Sequence, residues 1–142
     1  MNDIVPIATL VHVIELAVAP VFLLAGIAGF LNVMSARLGR IIDRSRVISG
    51  DLGADDSAGL FAKELKLIRR RTTVIHRSIA LCTCSALFIC VLIVSLFIGG
   101  SLNVDIDIFI ISCFVLAMVL LIVALLLFLL EIKLATQQLK IW

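Results

Sequence analysis

Residues 7–34 read IATLVHVIELAVAPVFLLAGIAGFLNVM, an almost uninterrupted apolar segment. An apolar run of 18 or more residues is long enough to cross a bilayer as a helix. The stretch meets that length, although it contains His12, Glu15 and Pro20. The sequence predicts three such spans, in residues 7–31, 79–98 and 108–130.

The composition supports the same assignment. Of the 142 residues, 63% are hydrophobic, and the mean hydropathy is +1.26. Soluble domains are about 45–50% apolar, so the excess indicates a lipid environment. The first 15 residues contain no Lys or Arg, which argues against a cleaved signal peptide. We expect a single all-α membrane domain that retains its first span.

The basic residues are distributed on one side of the predicted spans. Ten of the twelve Lys and Arg residues lie in residues 37–77, and the other two are Lys133 and Lys140. The opposite side carries only acidic residues, namely Asp3, Asp105 and Asp107. The positive-inside rule then predicts an N-terminus outside and a C-terminus in the cytoplasm of a bacterial inner membrane.

Residues 35–78, called the arm below, are predicted to form a cytoplasmic helical hairpin that extends the first and second spans. Residues 49–58 are rich in Gly and Asp and are expected to form its loop. The second helix has an apolar face of Leu60, Phe61, Leu65, Ile68, Thr72 and Ile75. A tail helix is expected in residues 131–142.

Glu15 is the most informative residue of the first span. It lies about 12 Å along the helix from Ile7, which places it within the hydrocarbon layer. An acidic residue there costs about 2.5–3.5 kcal/mol on insertion scales. His12 is on the same helix face. The pair either forms a proton or ion site, or Glu15 is a packing residue bonded to His12 or to a carbonyl freed by Pro20.

Other residues of the first span have two interpretations each. Pro20 leaves the carbonyl of Leu16 without its usual donor, so it is either a functional hinge or a tolerated kink. Asn32 is either an interfacial polar residue or part of an ion pathway. The first span also contains three small residues, which allow a second helix to approach closely: Ala25, Gly26 and Gly29.

The basic residues of the arm are candidates for contact with anionic lipid headgroups or with a partner protein. The alternative is that they only set the topology. We expect no nucleic acid partner, because the chain has no recognition motif. The candidate contact residues are Arg37, Arg40, Arg44, Lys66, Arg69, Arg70 and Arg71.

Sequence motifs for catalysis or cofactor binding are absent. The chain has no Walker loop, dinucleotide fingerprint, zinc signature or serine elbow. All four cysteines lie in predicted spans, where Cys behaves as a small apolar residue. We therefore expect no enzyme activity, no cofactor and no metal site.

Part of the chain resembles a known family. The segments concerned are APVFLL in residues 19–24, LNV in residues 31–33 and RLGRIIDR in residues 37–44. Three further features belong to the same pattern: the basic patch in residues 67–71, the start of the second span in residues 77–79 and the three-span layout. Together, these segments and features resemble the bacterial membrane proteins called domain of unknown function 2721. The resemblance implies a bacterial three-helix membrane protein and supplies no activity.

Two functional hypotheses follow. The first is a homo-oligomeric ion conduit lined by the first span. In it, Glu15 and His12 bind or gate cations, Pro20 is a hinge, and basic residues at Arg37, Arg40 and Arg44 border the inner exit. The second is a non-conducting membrane scaffold or accessory subunit that acts through its basic arm.

Overall fold

The chain forms three α-helices in a computed structural model that describes residues 6–51, 58–102 and 104–139. Helix α1 is Ile7–Asp51, α2 is Ala58–Leu102 and α3 is Asp107–Leu139. Within the described residues there is no strand, and each helix is long and apolar enough to cross a membrane. The predicted all-α architecture with three spans is confirmed.

A seven-residue repeat of buried positions runs along each helix. Seven residues complete two helical turns, so such a repeat keeps one side chain per two turns against the neighbouring helices, with a left-handed supercoil. In α1 the repeat comprises Val13, Pro20, Ile27, Met34, Ile41 and Ile48. In α2 it comprises Ile68, Ile75, Cys82 and Ile89, and in α3 Ala117, Ala124 and Glu131.

These positions form two apolar cores along the bundle. The first core joins all three helices and contains Ile27, Met34, Cys82, Ile89, Ala117, Leu121 and Ala124. The second joins α1 and α2 only and contains Ile41, Ile48, Ile68 and Ile75. Helix α2 therefore packs against both other helices, and the arm has a core of its own.

Helices α1 and α2 are much longer than a membrane is thick. Each has 45 residues, or about 67 Å at 1.5 Å per residue, against a hydrocarbon layer of about 30 Å. Helices α1 and α2 each continue without a break from the predicted span into residues of the arm, and α1 continues through Pro20 as one helix. The cytoplasmic hairpin stays a prediction. The predicted loop is shorter than residues 49–58, because α1 includes residues 49–51. Residues 52–57 of that loop and 140–142 of the tail lie outside the described residues.

Helix α2 also extends past the second predicted span. The span is predicted to end at residue 98, whereas α2 continues to Leu102. A Cβ atom on Gly99 would lie 2.8 Å from Cδ1 of Ile106, and one on Gly100 would lie 2.7 Å from Cγ2 of Val13. The two glycines are helical residues that allow close contact with the start of α3 and with α1.

Candidate functional site

The most polar site inside the bundle is built around Glu131. This carboxylate is fully buried and directly follows the apolar run of α3. Arg37 of α1 donates a hydrogen bond from Nη1 to Oε2 of Glu131. Arg71 of α2 donates one from Nη2 to Oε1 at 2.9 Å. Each helix thus contributes one charged group, and we call these three residues the Arg–Glu–Arg cluster.

The surroundings explain why three charges are stable at this position. A buried carboxylate needs partners, because transfer out of water without them costs several kcal/mol. Both oxygens of Glu131 accept charge-assisted bonds, and the two arginine side chains remain 35% and 20% exposed for Arg37 and Arg71. The guanidinium carbon of Arg37 lies 5.5 Å from the centre of the Phe128 ring, which adds a cation–π contact. The cluster carries one net positive charge.

Two serines of α2 extend this polar contact into the apolar core. Ser78 Oγ donates to the carbonyl oxygen of Ala124 at 2.6 Å, and Ser85 Oγ donates to that of Ala117 at 2.7 Å. Ser78 Oγ is also 3.5 Å from Sδ of Met34 in α1. Arg71, Ser78 and Ser85 follow each other at seven-residue steps, so all three lie on the same face of α2. That face joins α2 to α3 by one polar contact every two turns.

The cluster is an ion-paired contact between helices. Two guanidinium donors are bound to the two oxygens of one carboxylate acceptor. No group of three His, Cys, Asp or Glu residues suited to a metal ion is found in the described part of the chain. All four cysteines are free thiols, at Cys82, Cys84, Cys90 and Cys113.

The candidate ion-pathway residues lie on the surface of α1. Glu15, His12 and Asn32 are exposed, whereas Pro20 is buried. Within the described residues, no hydrogen bond or ion pair joins His12 to Glu15. The candidate packing residues Ala25, Gly26 and Gly29 are exposed on the same outward side of α1.

Glu15 lies near one end of the three-helix bundle. Val13 packs against Gly100, two residues before the end of α2. Glu15 is two residues from Val13, which is about 3 Å along the helix axis. Glu15 is therefore close to the level of the α2–α3 turn. The predicted depth of Glu15 in the hydrocarbon layer stays a prediction.

The basic candidates separate into two groups. Arg37 and Arg71 belong to the Arg–Glu–Arg cluster and connect the helices. Arg44 Nη2 lies 3.2 Å from Oε1 of Glu64 in an exposed ion pair of the arm. The remaining candidates, Arg40, Lys66, Arg69 and Arg70, are exposed on the surface of the arm.

Comparison with known proteins assigns the family. The sequence model of the family described as Protein of unknown function (DUF2721) matches residues 17–141. The chain belongs to this family. No curated protein matches the chain, and no solved structure matches it. The resemblance of residues 19–24, 31–33 and 37–44 to DUF2721 proteins is confirmed.

Within the part matched to DUF2721, the sequence reasoning missed the central residue of the site. Glu131 directly follows a long uncharged run. A single carboxylate at the end of such a run indicates that a basic side chain pairs with it. The match begins after Glu15 and includes Arg37, Arg71 and Glu131. Ser78 and Ser85 gave no separate signal, because serine in a spanning helix also bonds to its own backbone.

Proposed function

We propose that this DUF2721 protein is a homo-oligomeric membrane scaffold whose copies meet along the outward face of α1. In this proposal the arm projects into the cytoplasm, as the distribution of basic residues favours. The assembly places several arms side by side at the membrane surface. The protein has no catalytic role in this proposal.

The observation that carries the proposal is a run of small residues on the outward face of α1. A Cβ atom added at Gly26, Gly29 or Gly39 would meet nothing within 4 Å, although Phe22, seven residues before Gly29 on the same face, is 72% exposed. Helix α3 has no glycine, and its outward face has large exposed side chains, including Val119 and Leu126. Small residues suit close helix contact in a membrane, whereas bulky apolar side chains suit lipid.

The Arg–Glu–Arg cluster supports the scaffold role of the arm. It ties α1, α2 and α3 together where the apolar run of α3 ends. Beyond it, α1 and α2 continue as one packed pair with their own isoleucine core. A continuous helix pair holds its surface at a defined distance from the bilayer, which a flexible loop would not do.

The subunit count of the purified protein in lipid nanodiscs, measured by native mass spectrometry, tests the proposal. We expect two or more copies for the wild type and a monomer for Gly29→Leu, because leucine blocks the close approach of a second helix. Val119→Phe adds the same number of carbon atoms on α3 and should leave the count unchanged. A monomeric wild type, or an equal effect of both substitutions, would contradict the proposal.

A cation conduit is the second candidate, and the position of Glu15 on α1 favours it. Glu15 and Asn32 are on the same outward side as the small residues, with His12 near Glu15. In an oligomer formed along α1, this side can face an axis, with Pro20 as a hinge. Cation flux into proteoliposomes tests it: Glu15→Gln should abolish flux, and Glu64→Gln should preserve it. Absence of flux in an oligomeric wild type would exclude the conduit and leave the scaffold.

A further inference from the structure

A groove runs along the outward face of α2 in the arm. It has a volume of about 610 Å³ and is open to its surroundings. A second hollow of about 480 Å³ adjoins it, and the two share Thr73. The first is lined by Lys63, Lys66, Leu67, Arg69, Arg70 and Thr73. The second is lined by Thr72, Thr73, His76, Arg77 and Ala80.

The charged residues described in the lining of this groove are all basic. Arg69, Arg70 and Arg77 are exposed. Arg70 and Arg77 are two helical turns apart and so lie on one side of α2, and Arg69 lines the same hollow as Arg70. No carboxylate is among the described lining residues. The nearby acids are engaged elsewhere, Glu64 with Arg44 and Glu131 within the Arg–Glu–Arg cluster. The cations of the groove therefore offer an anion several charge-assisted contacts.

The groove crosses the boundary between apolar and charged parts of the bundle. Arg71 reaches Glu131, which follows the last apolar residue of the run in α3. Ala80, at the other end of the second hollow, lies within the apolar run of α2. From Arg69 to Ala80 is about 16 Å along the helix. A ligand in this groove meets guanidinium groups at one end and an apolar helix surface at the other.

We propose that this groove is a binding site for an anionic phospholipid. The phosphate of the headgroup lies among Arg69, Arg70 and Arg77, and the acyl chains follow the exposed surface of α2 beyond Ala80. Guanidinium groups suit this role because they present planar, paired donors to phosphate oxygens. The apolar end distinguishes a lipid from a soluble phosphate. The site is complete in one chain, so it does not depend on the oligomer or on conduction.

Lipid retention in native mass spectrometry tests the site. The full chain is released from nanodiscs that contain equal amounts of phosphatidylglycerol and phosphatidylcholine, and the bound lipids are counted. The wild type should retain phosphatidylglycerol preferentially. Each basic residue near a membrane surface contributes about a fivefold preference for anionic lipid. Arg69→Gln/Arg70→Gln removes two such residues and should therefore reduce the retained phosphatidylglycerol about 25-fold.

The matched control is Arg40→Gln/Arg46→Gln. It removes the same charge from exposed positions of α1 that do not line the groove. Equal loss in both double variants would show diffuse attraction and overturn the site. Displacement of the lipid by millimolar glycerol phosphate would show a site for soluble phosphate and overturn the lipid assignment. If Arg69→Gln/Arg70→Gln does not fold, Arg77→Gln replaces it, and unchanged retention in that variant counts against the site.

Discussion

Arg71 and Glu131 are 60 residues apart in sequence and are joined by a hydrogen bond of 2.9 Å between Nη2 and Oε1. The bond links α2 to α3 at the first charged position after the apolar run of α3. Arg37 completes the contact from α1. Because all three helices meet at one carboxylate, the relative positions of the helices along their axes depend on Glu131.

Replacement of Glu131 is predicted to be the most damaging single charge removal. Glu131→Ala leaves two guanidinium groups facing each other without their acceptor. Breaking a buried ion pair by removal of one partner costs about 3–5 kcal/mol. We expect a loss of that order in the free energy of unfolding, measured by denaturant titration in detergent micelles.

The control for this prediction is Glu64→Ala, which removes the acceptor of Arg44 in the exposed ion pair of the arm. Exposed pairs contribute about 0–1 kcal/mol. If the two alanine variants were equally stable, the buried ion pairs of Glu131 would contribute no more to the free energy of unfolding than the exposed pair of Glu64.

The contact between Arg37 and Phe128 gives a second prediction. The guanidinium lies 5.5 Å from the ring centre, and such contacts contribute about 0.5–1 kcal/mol where they are partly exposed. Arg37→Gln, which removes the cation, and Phe128→Leu should each destabilise the protein, and the double variant should lose less than the sum of the two. The double-mutant cycle is measured by thermal unfolding in the same detergent. Simple additivity would mean that the ring and the guanidinium do not interact.

The fold could largely be predicted from the sequence, because hydrocarbon length and charge distribution are local properties. The span of residues 108–130 falls within α3, and the extension of α1 and α2 beyond their spans needed only continued helical periodicity. Packing within the spans could not be predicted in the same way. Where nearly every residue is apolar, a buried stripe has no polar face to contrast with it.

The packing of the arm could be predicted from the sequence only in part. Its predicted apolar face includes Ile68 and Ile75, which are buried, and Leu60, which is 77% exposed. The helical period was right, but Leu60 is one residue before the repeat position that precedes Ile68. It is therefore turned about 100° away from the buried side of α2, as is Leu67, which is also exposed. The Arg–Glu–Arg cluster was harder still to predict, since Arg37 and Glu131 are 94 residues apart and pair only through the packing of all three helices.

The serines of α2 give a third prediction. Ser78→Ala and Ser85→Ala each remove one hydrogen bond to a carbonyl of α3. Polar contacts between spanning helices average about 0.6 kcal/mol, so each variant should lose roughly that amount. The two sites are about 10 Å apart along the helix and should be additive. The exposed Ser95, which donates to the carbonyl of Val91 in its own helix, is the control. If Ser95→Ala lost as much stability as Ser78→Ala, the hydrogen bonds between α2 and α3 would contribute no more than a bond within one helix.

The glycine pair near the end of α2 gives the last prediction, since Gly99 and Gly100 are both crowded but by side chains of different segments. A Cβ atom on Gly100 would lie 2.7 Å from Cγ2 of Val13 in α1. One on Gly99 would lie 2.8 Å from Cδ1 and 2.9 Å from Cγ1 of Ile106, just before α3. Both neighbours are β-branched side chains with few rotamers.

Overpacking of this kind costs about 1–3 kcal/mol where the neighbour cannot move. Gly99→Ala and Gly100→Ala should therefore each lower the unfolding temperature. Val13→Ala should restore part of the loss in the Gly100→Ala background and none in the Gly99→Ala background. No rescue of Gly100→Ala by Val13→Ala would mean that α1 does not pack against Gly100. The position of Glu15 near the α2–α3 turn would then have to be reconsidered, because it is inferred from that contact.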